Sequence, residues 1–360
     1  MDKFGYMEKY GFEQLCFFHD KSTGLKAITC IHNTVLGPAL GGSRFWNYQN
    51  EEDAVLDVLR LARGMTYKSA VAGLALGGGK SVIIGDANAL RKDSVKTESF
   101  WRAFGRYLEG LNGRYITAAD VGTSVQDMVY INMETSNVVG LPGKSGSPSP
   151  FTALGVFKSI LACCKHVYGT DCVDGKTVAV QGVGAVGMHL CKLLHEAGAK
   201  LIVTDTVQSN VEKCVEDFGA TAVAPDAIYS VDCDIYAPCA LGATVNDDTI
   251  PLFKCKIICG GANNQLQEAD IHGKAIRNRG IVYAPDYVAN AGGVINVSYE
   301  ARGTYNEESA LREIGLIYVR MLEILEKADS TGLLAHDCAD QMAEARIEAI
   351  KNIKGIYLPK

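Results

Sequence analysis

The sequence predicts an α/β protein of two domains, and three observations carry that prediction. The chain has 360 residues, more than one average core requires, so two domains of roughly 100–200 residues are expected. Strand-like and helix-like runs alternate along nearly all of it. One stretch, GLPGKSGSPSP from Gly140 to Pro150, concentrates residues that break regular structure and marks the boundary.

The first part opens on a helix and strand-like stretches such as LKAITCIHN. AVLDVLRLARGMTYKSA then turns helical, with Val55, Leu56, Val58, Leu59 and Ala62 near 3.6-residue spacing. Strand-like VIIGD, a helix around SFWRAFGRYLEGL and strand-like RYITAAD complete an α/β unit. Beyond the boundary come KTVAVQG, a helix through MHLCKLLHEAG, AKLIVTD, a helix near VEKCVEDFG, then ATAV, DIYAPCA, KIICGG and IVYAPDY. Strands spaced in this way imply a parallel sheet wound with helices. From about Glu308 the chain reads as helices.

Composition narrows the function classes. Apolar residues make up 48% and charged residues 21%, as in ordinary globular proteins. A net charge of −6 argues against binding nucleic acid or an anionic membrane. No apolar run approaches the roughly 18 residues of a membrane helix, and the opening MDKFGYMEKYGFEQLCFF lacks a signal-peptide pattern. The twelve cysteines are scattered without C-x-x-C spacing, so reduced, mostly buried thiols in a cytoplasmic protein are expected.

Two glycine clusters invite a phosphate reading, and only one supports it. In GLALGGGKSVIIGD, a P-loop would need glycine six residues before Lys80, where Leu74 stands, and β-branched residues follow where a helix should open. With no H-E-x-x-H and no ligand-spaced cysteine and histidine set, nucleotidase and metal-hydrolase readings find no support, and no metal is expected. Gly182-Val183-Gly184-Ala185-Val186-Gly187, by contrast, matches G-x-G-x-x-G between strand-like TVAVQ and a helix. Strand-like LIVTD then ends in Asp205, 23 residues after Gly182. This is a Rossmann-type dinucleotide site: Gly182 for the tight turn, Gly184 for approach of the pyrophosphate, Gly187 for helix packing, and Asp205 for the ribose. An acid there repels a 2′-phosphate, so NAD is favoured over NADP. The later turns, with Cys239, Ala240, Asn263 and Asn290, belong to the same strand ends, and Thr152 joins them as a further cofactor contact.

LGPALGGSR, MTYKSA, LALGGGKSVI, TAADVGT, the GVGAVG turn and NAGGVINV, in this order over nearly the whole chain, resemble the amino-acid dehydrogenases of the glutamate, leucine, phenylalanine and valine superfamily. LGPALGG and LALGGGK look most like its leucine-type members. The resemblance implies two domains separated by a cleft: residues 1–145 for substrate, catalysis and assembly, and 146–329 for NAD, with a helix at about 330–360 packing back on the first. It implies that Lys80 is the catalytic amine, with glycines before it clearing room at the substrate. Lys68 would bind the α-carboxylate, and Asp120 would bind the amino group and exchange protons with Lys80 and water. General-base action by lysine needs a partly neutral amine, as burial beside another cation produces. It further implies a homo-oligomer, an octamer.

For the substrate side chain, glutamate-type members carry lysine where Leu40 stands and serine where Val297 stands. Losing both would leave a distal carboxylate unpaired, while Leu40, Val294 and Val297 suit an aliphatic chain. Met65 and Ala118 complete the pocket by resemblance, with Gly41 and Thr135 as further substrate contacts. Gly122, asparagine in phenylalanine-type members, modestly favours a branched-chain substrate. The reading is NAD-dependent oxidative deamination of leucine, valine or isoleucine. Phenylalanine or valine as preferred substrate is the alternative, and a non-catalytic dinucleotide sensor is the reading from another class. Two stretches depart from the leucine-type pattern: ANALRKDSVKTESF, read as a longer surface loop, and SYEARGTYNEE, beside the pocket.

Overall fold

The computed structural model describes residues 2–353 and divides into two units. The first comprises the chain up to Ser147, Val297–Glu307, and the chain from Ala343; the second comprises Pro148–Asn296 and Glu308–Met342. The break between Ser147 and Pro148 falls inside the glycine, proline and serine stretch. Val297–Glu307 groups with the first unit although it lies within 146–329.

The first unit runs α1 (Lys3–Tyr10), β1 (Gln14–Asp20), β2 (Leu25–Asn33), β3 (Ala39–Trp46), α2 (Glu51–Val71), β4 (Gly77–Ile84), α3 (Ala87–Leu90), α4 (Ser94–Glu109), β5 (Tyr115–Ala119) and α5 (Val125–Asn132). Its sheet has the order β1-β2-β4-β3-β5. β4 is antiparallel to β2 and parallel to β3, which is parallel to β5. Helix α2 begins where the Asn50 side chain accepts the Asp53 N–H, with three acids in the first turn matching the helix dipole. Its apolar stripe, Val55, Val58, Leu59 and Ala62, buries against Ile28, Cys30 and Val82 on one face of the sheet. The other face carries Phe45, Ile83 and Tyr115, packed with Phe100, Trp101 and Phe104 of α4. Each such side chain fully withdrawn from water contributes about 1.5–3 kcal/mol.

The second unit contains α6 (Ser149–Tyr168), β6 (Thr177–Gln181), α7 (Ala185–Glu196), β7 (Lys200–Thr204), α8 (Gln208–Phe218), β8 (Thr221–Ala222), β9 (Ile235–Pro238), β10 (Ile257–Ile258), α9 (Ala269–Asn278), β11 (Val282–Tyr283) and α10 (Asp286–Ala289). α11 (Gly292–Ala301), α12 (Glu307–Gly315), α13 (Ile317–Thr331) and α14 (Ala335–Ile353) follow. All five strand pairings are parallel, in the order β11-β10-β9-β6-β7-β8. The winding reverses between β6 and β9, the place where such sheets open a crevice at their carboxyl ends.

From Ala343 onward α14 belongs with the first unit. There Arg346 donates to the carbonyls of Ala70 and Gly73 at the end of α2, both at 3.0 Å, and Tyr67 donates to Glu344. Residues 354–360 of the expected closing helix lie outside the described residues. No helix among the described residues is long and apolar enough to cross a membrane. The twelve cysteines are free, and nine of them are buried.

One expectation for local structure changes, and one stretch gains a structural role. ANALRKDSVKTESF forms α3 and the start of α4, each capped by an aspartate, Asp86 or Asp93. Arg91 ties it down through Asp127 at 3.0 Å and the Gly122 carbonyl at 2.9 Å, so it is not a loose loop. In SYEARGTYNEE, the buried Glu300 carboxylate accepts the N–H groups of Gly140, Leu141 and Ser145 and the Ser145 hydroxyl, pinning the segment that leads to the boundary.

Candidate active site

In the first unit the candidates gather where β3, β4 and β5 lie side by side. Pairing sets Leu40 beside Gly78 and Ile116, and Gly42 beside Ala118. Alternation along parallel strands then puts Leu40, Gly42, Arg44, Lys80, Ala118 and Asp120 on the face toward α2. Lys80 Nζ lies 2.6 Å from Asp120 Oδ2, with only 7% and 21% of the two side chains exposed. Arg44 Nε approaches the same oxygen at 3.4 Å. Burial works to raise the Asp120 pKa, but the Lys80 and Arg44 cations outweigh it and hold the carboxyl below its ordinary range. The Asp120 N–H donates to the Thr123 hydroxyl at 2.8 Å, which donates to the Ser43 carbonyl at 3.0 Å, so the TAADVGT turn is tied to β3.

The three glycines before Lys80 also have a packing cause. A Cβ on Gly77 would fall 1.9 Å from the Asn33 carbonyl, on Gly78 2.0 Å from the Thr66 nitrogen, and on Gly79 2.8 Å from the Tyr115 ring. They let β4 lie directly against its neighbours. The contact of Gly78 with Thr66 also sets the α2 segment bearing Met65 and Lys68, both half-buried, over the strand bearing Lys80. The Lys80 amine contacts the Asp120 carboxylate, and the Arg44 guanidinium approaches the same oxygen.

Among the remaining substrate candidates, Gly41 lies so close to β4 that a Cβ would meet the Gly79 carbonyl at 1.8 Å, leaving its backbone as the only part able to make a contact. Val294 and Val297 are buried, three residues apart on one face of α11. Thr135 is buried, and its hydroxyl donates to Glu109 at 2.5 Å and accepts the Asn137 N–H at 3.1 Å.

In the second unit the cofactor candidates converge through close contacts. Gly182 has φ +89°, and a Cβ there would meet Ala240 at 2.6 Å; Gly187 lies against the Gly182 carbonyl and beside Cys239. Gly261 approaches Val186 and Cys239, Asn290 donates to the Gly261 carbonyl and to Asn263, and Gly293 packs on the Thr152 hydroxyl. Burial pushes the Cys239 thiol up to about 11, so it is uncharged. Gly184, the N-cap of α7, has nothing within 4 Å of a Cβ position, and α7 has no side-chain cap. An open approach to unpaired N–H groups at a helix start fits a pyrophosphate. Asp205 Oδ2 accepts the Val183 N–H and Oδ1 the Val207 N–H, both at 2.8 Å. Carboxylate oxygens retain further lone pairs for ribose hydroxyls.

The description "Glu/Leu/Phe/Val dehydrogenase, dimerisation domain" matches residues 13–137, and "Glutamate/Leucine/Phenylalanine/Valine dehydrogenase" matches 145–212 and 202–314. The chain belongs to the glutamate/leucine/phenylalanine/valine dehydrogenase family. It is 58% identical to leucine dehydrogenase of Bacillus subtilis (strain 168), across 99% of this chain and 97% of that one. To leucine dehydrogenase of Thermoactinomyces intermedius it is 56% identical over the same shares. The crystal structure of L-tryptophan dehydrogenase from Nostoc punctiforme superposes with a TM-score of 0.84 at 45% identity, covering 97% of this chain and 99% of that one.

For a dehydrogenase of this family, two features escaped sequence reasoning. Arg44, with Asp57 and Tyr48 behind it, joins the Lys80–Asp120 pair. Its only signal was its place at the end of LGPALGGSR. Gly122 was weighed as a substrate marker, yet it has φ +79° and a Cβ would fall 2.0 Å from the Phe45 carbonyl. The left-handed backbone there suits glycine whatever the substrate. Three metal-type donors, on Asp270, His336 and Asp337, also come within 4.8 Å of one another, a grouping that no sequence spacing announced; the Asp270 carboxylate is 82% exposed.

Proposed function

We propose that the chain catalyses the NAD-dependent oxidative deamination of branched-chain L-amino acids, leucine foremost, to 2-oxo acids and ammonium. The observation that carries this reading is the nearly buried Lys80–Asp120 ion pair in a chain of this family. Lys68 binds the α-carboxylate as its charge partner. Asp120 accepts a proton from the substrate amino group, freeing the nitrogen lone pair as hydride leaves Cα. NAD, when bound, accepts that hydride. Lys80 takes a proton from the water that adds to the imine carbon; Asp120 returns its proton to the nitrogen, and the hydroxyl proton of the adduct passes to that nitrogen as the C–N bond breaks, so ammonium leaves and the 2-oxo acid remains.

The second unit binds NAD through residues 182–187, Asp205, Thr152, Cys239, Ala240, Asn263 and Asn290. What supports an aliphatic side chain is the apolar, buried character of Leu40, Val294 and Val297; with leucine at 40 and valine at 297, a distal carboxylate would go unpaired, at a cost of several kcal/mol. The protein works in the cytoplasm, in keeping with its free thiols, and assembles as a homo-oligomer, an octamer. Light scattering tests the assembly, and a monomer at working concentration refutes it. The deciding experiment follows NADH formation with leucine, valine, isoleucine, phenylalanine and glutamate in turn. Turnover of branched-chain substrates well above the others is expected, and glutamate or phenylalanine matching leucine overturns the substrate assignment.

A further inference from the structure

Asp120 meets two cations at a single oxygen, and only one of them has a part in the chemistry above. Lys80 comes from β4 and Arg44 from β3. Arg44 is itself held from behind: its Nη1 lies 3.1 Å from Asp57 Oδ2 on α2, and that oxygen accepts the Tyr48 hydroxyl at 2.6 Å. A guanidinium keeps its proton at any working pH, whereas a lysine can release one. When Lys80 is neutral during turnover, Arg44 is the cation that remains on Asp120.

We propose that Arg44 is a positioning residue for the reaction: clamped by Asp57 and Tyr48, it keeps the Asp120 carboxylate charged and aimed at Lys80 while protons pass between them. This rests on the dehydrogenase reading and on the roles given to Lys80 and Asp120. Burial alone pushes Asp120 toward its neutral form, and a neutral Asp120 can no longer take the substrate's proton. The charged and titratable groups that act on Asp120 are Lys80 on β4, Arg44 on β3, Tyr115 on β5 and Tyr48 beyond β3, with Asp57 of α2 behind Arg44 and Lys68 on the α2 segment that packs over β4. Cys30 on β2 pairs with Lys80 in register and is kept uncharged by burial. Tyr48 stays protonated, since burial and its bond to Asp57 push its pKa up.

A staple that merely joins β3 to α2 would also explain the Arg44–Asp57 pair, and a pH profile separates the two accounts. kcat and kcat/KM for leucine are measured against pH for wild type, Arg44→Gln, Arg44→Lys and Asp57→Asn, with NADH binding as a check on folding. Arg44→Gln is expected to raise the acid limb of kcat/KM by about 1 pH unit or more, given the 1–3 units one nearby cation exerts on an aspartate. It should lower kcat by about 10- to 100-fold, within the range of general acid–base effects, with a smaller change in KM. Arg44→Lys should restore the limb. Asp57→Asn removes an anion and leaves the guanidinium charge to Asp120, so its limb should stay or fall. An unmoved limb in Arg44→Gln, or limbs that rise together in Arg44→Gln and Asp57→Asn, overturns the proposal. If Arg44→Gln does not fold, a raised limb in Arg44→Lys or in Asp57→Asn overturns it equally. A wild type that oxidises no amino acid would instead defeat the functional reading beneath it.

Discussion

Replacing Lys80 by alanine removes an almost buried ammonium that sits 2.6 Å from Asp120, and the structure separates the consequences. Loss of a general acid–base group lowers turnover by about 10²–10⁴-fold, equivalent to about 3–5 kcal/mol at 1.36 kcal/mol per decade. Folding should suffer less. Orphaning a buried charge costs about 3–5 kcal/mol, but Arg44 Nε remains 3.4 Å from the same Asp120 oxygen, so roughly 1–3 kcal/mol is expected. NADH affinity should hold, because the glycine turn belongs to the other unit. Steady-state kinetics with leucine, fluorescence titration of NADH and calorimetry measure the three quantities on one preparation. Near-native turnover, or weakened NADH binding as the main effect, would refute the assignment. Restored turnover on adding a small primary amine would tie the loss to the amine itself.

Other outcomes follow from single contacts. Glu300→Ala removes the acceptor of three backbone N–H groups and should cost about 3–9 kcal/mol at about 1–3 kcal/mol per buried group; a loss under about 1 kcal/mol in denaturant unfolding contradicts that. Asp205→Ala should narrow the preference for NAD over NADP by about tenfold or more, as loss of a charged hydrogen bond implies, and an unchanged ratio of catalytic efficiencies removes the ribose role. Burial lowers the His32 pKa from 6.5 to about 4, while Nε2 donates to the Tyr10 carbonyl and Nδ1 accepts from Thr66. The unfolded chain binds the extra proton first, so this stabilisation is full above pH 6.5 and is lost as pH falls toward 4. Melting curves of wild type should drop over that window more than those of His32→Gln, and parallel curves would count against it.

Much of this was legible because it is written in local patterns. The β-branched run of β4, the stripe of α2 and the joint requirement of strand, glycine turn, helix and acid around Gly182 each imply geometry within one or two elements. Arg44 was not legible, because its meaning depends on Asp57 of α2 and Asp120 beyond β5, brought together only by strand pairing. The packing at Gly77–Gly79 and Gly122 was hidden for a related reason: a missing side chain looks the same in sequence whether it admits a ligand or a neighbouring backbone. Thr135 likewise gives no hint in sequence that Glu109 and Asn137 take up its hydroxyl.

The near-contact of bare backbones in the first unit bears on how such a protein diversifies. At Gly41, Gly77 and Gly78 any added carbon would fall 1.8–2.0 Å from a main-chain atom of another segment, a distance no side-chain rotation relieves. β3, β4 and α2 therefore form a frame that mutation can break but not retune, and Lys80 and Asp120 ride on it. Under the substrate assignment proposed above, new preferences are reached by exchanging side chains that project from that frame, Leu40 and Met65 among them. Relatives sharing the architecture can then drift far in what they accept while inheriting the same unadjustable scaffold.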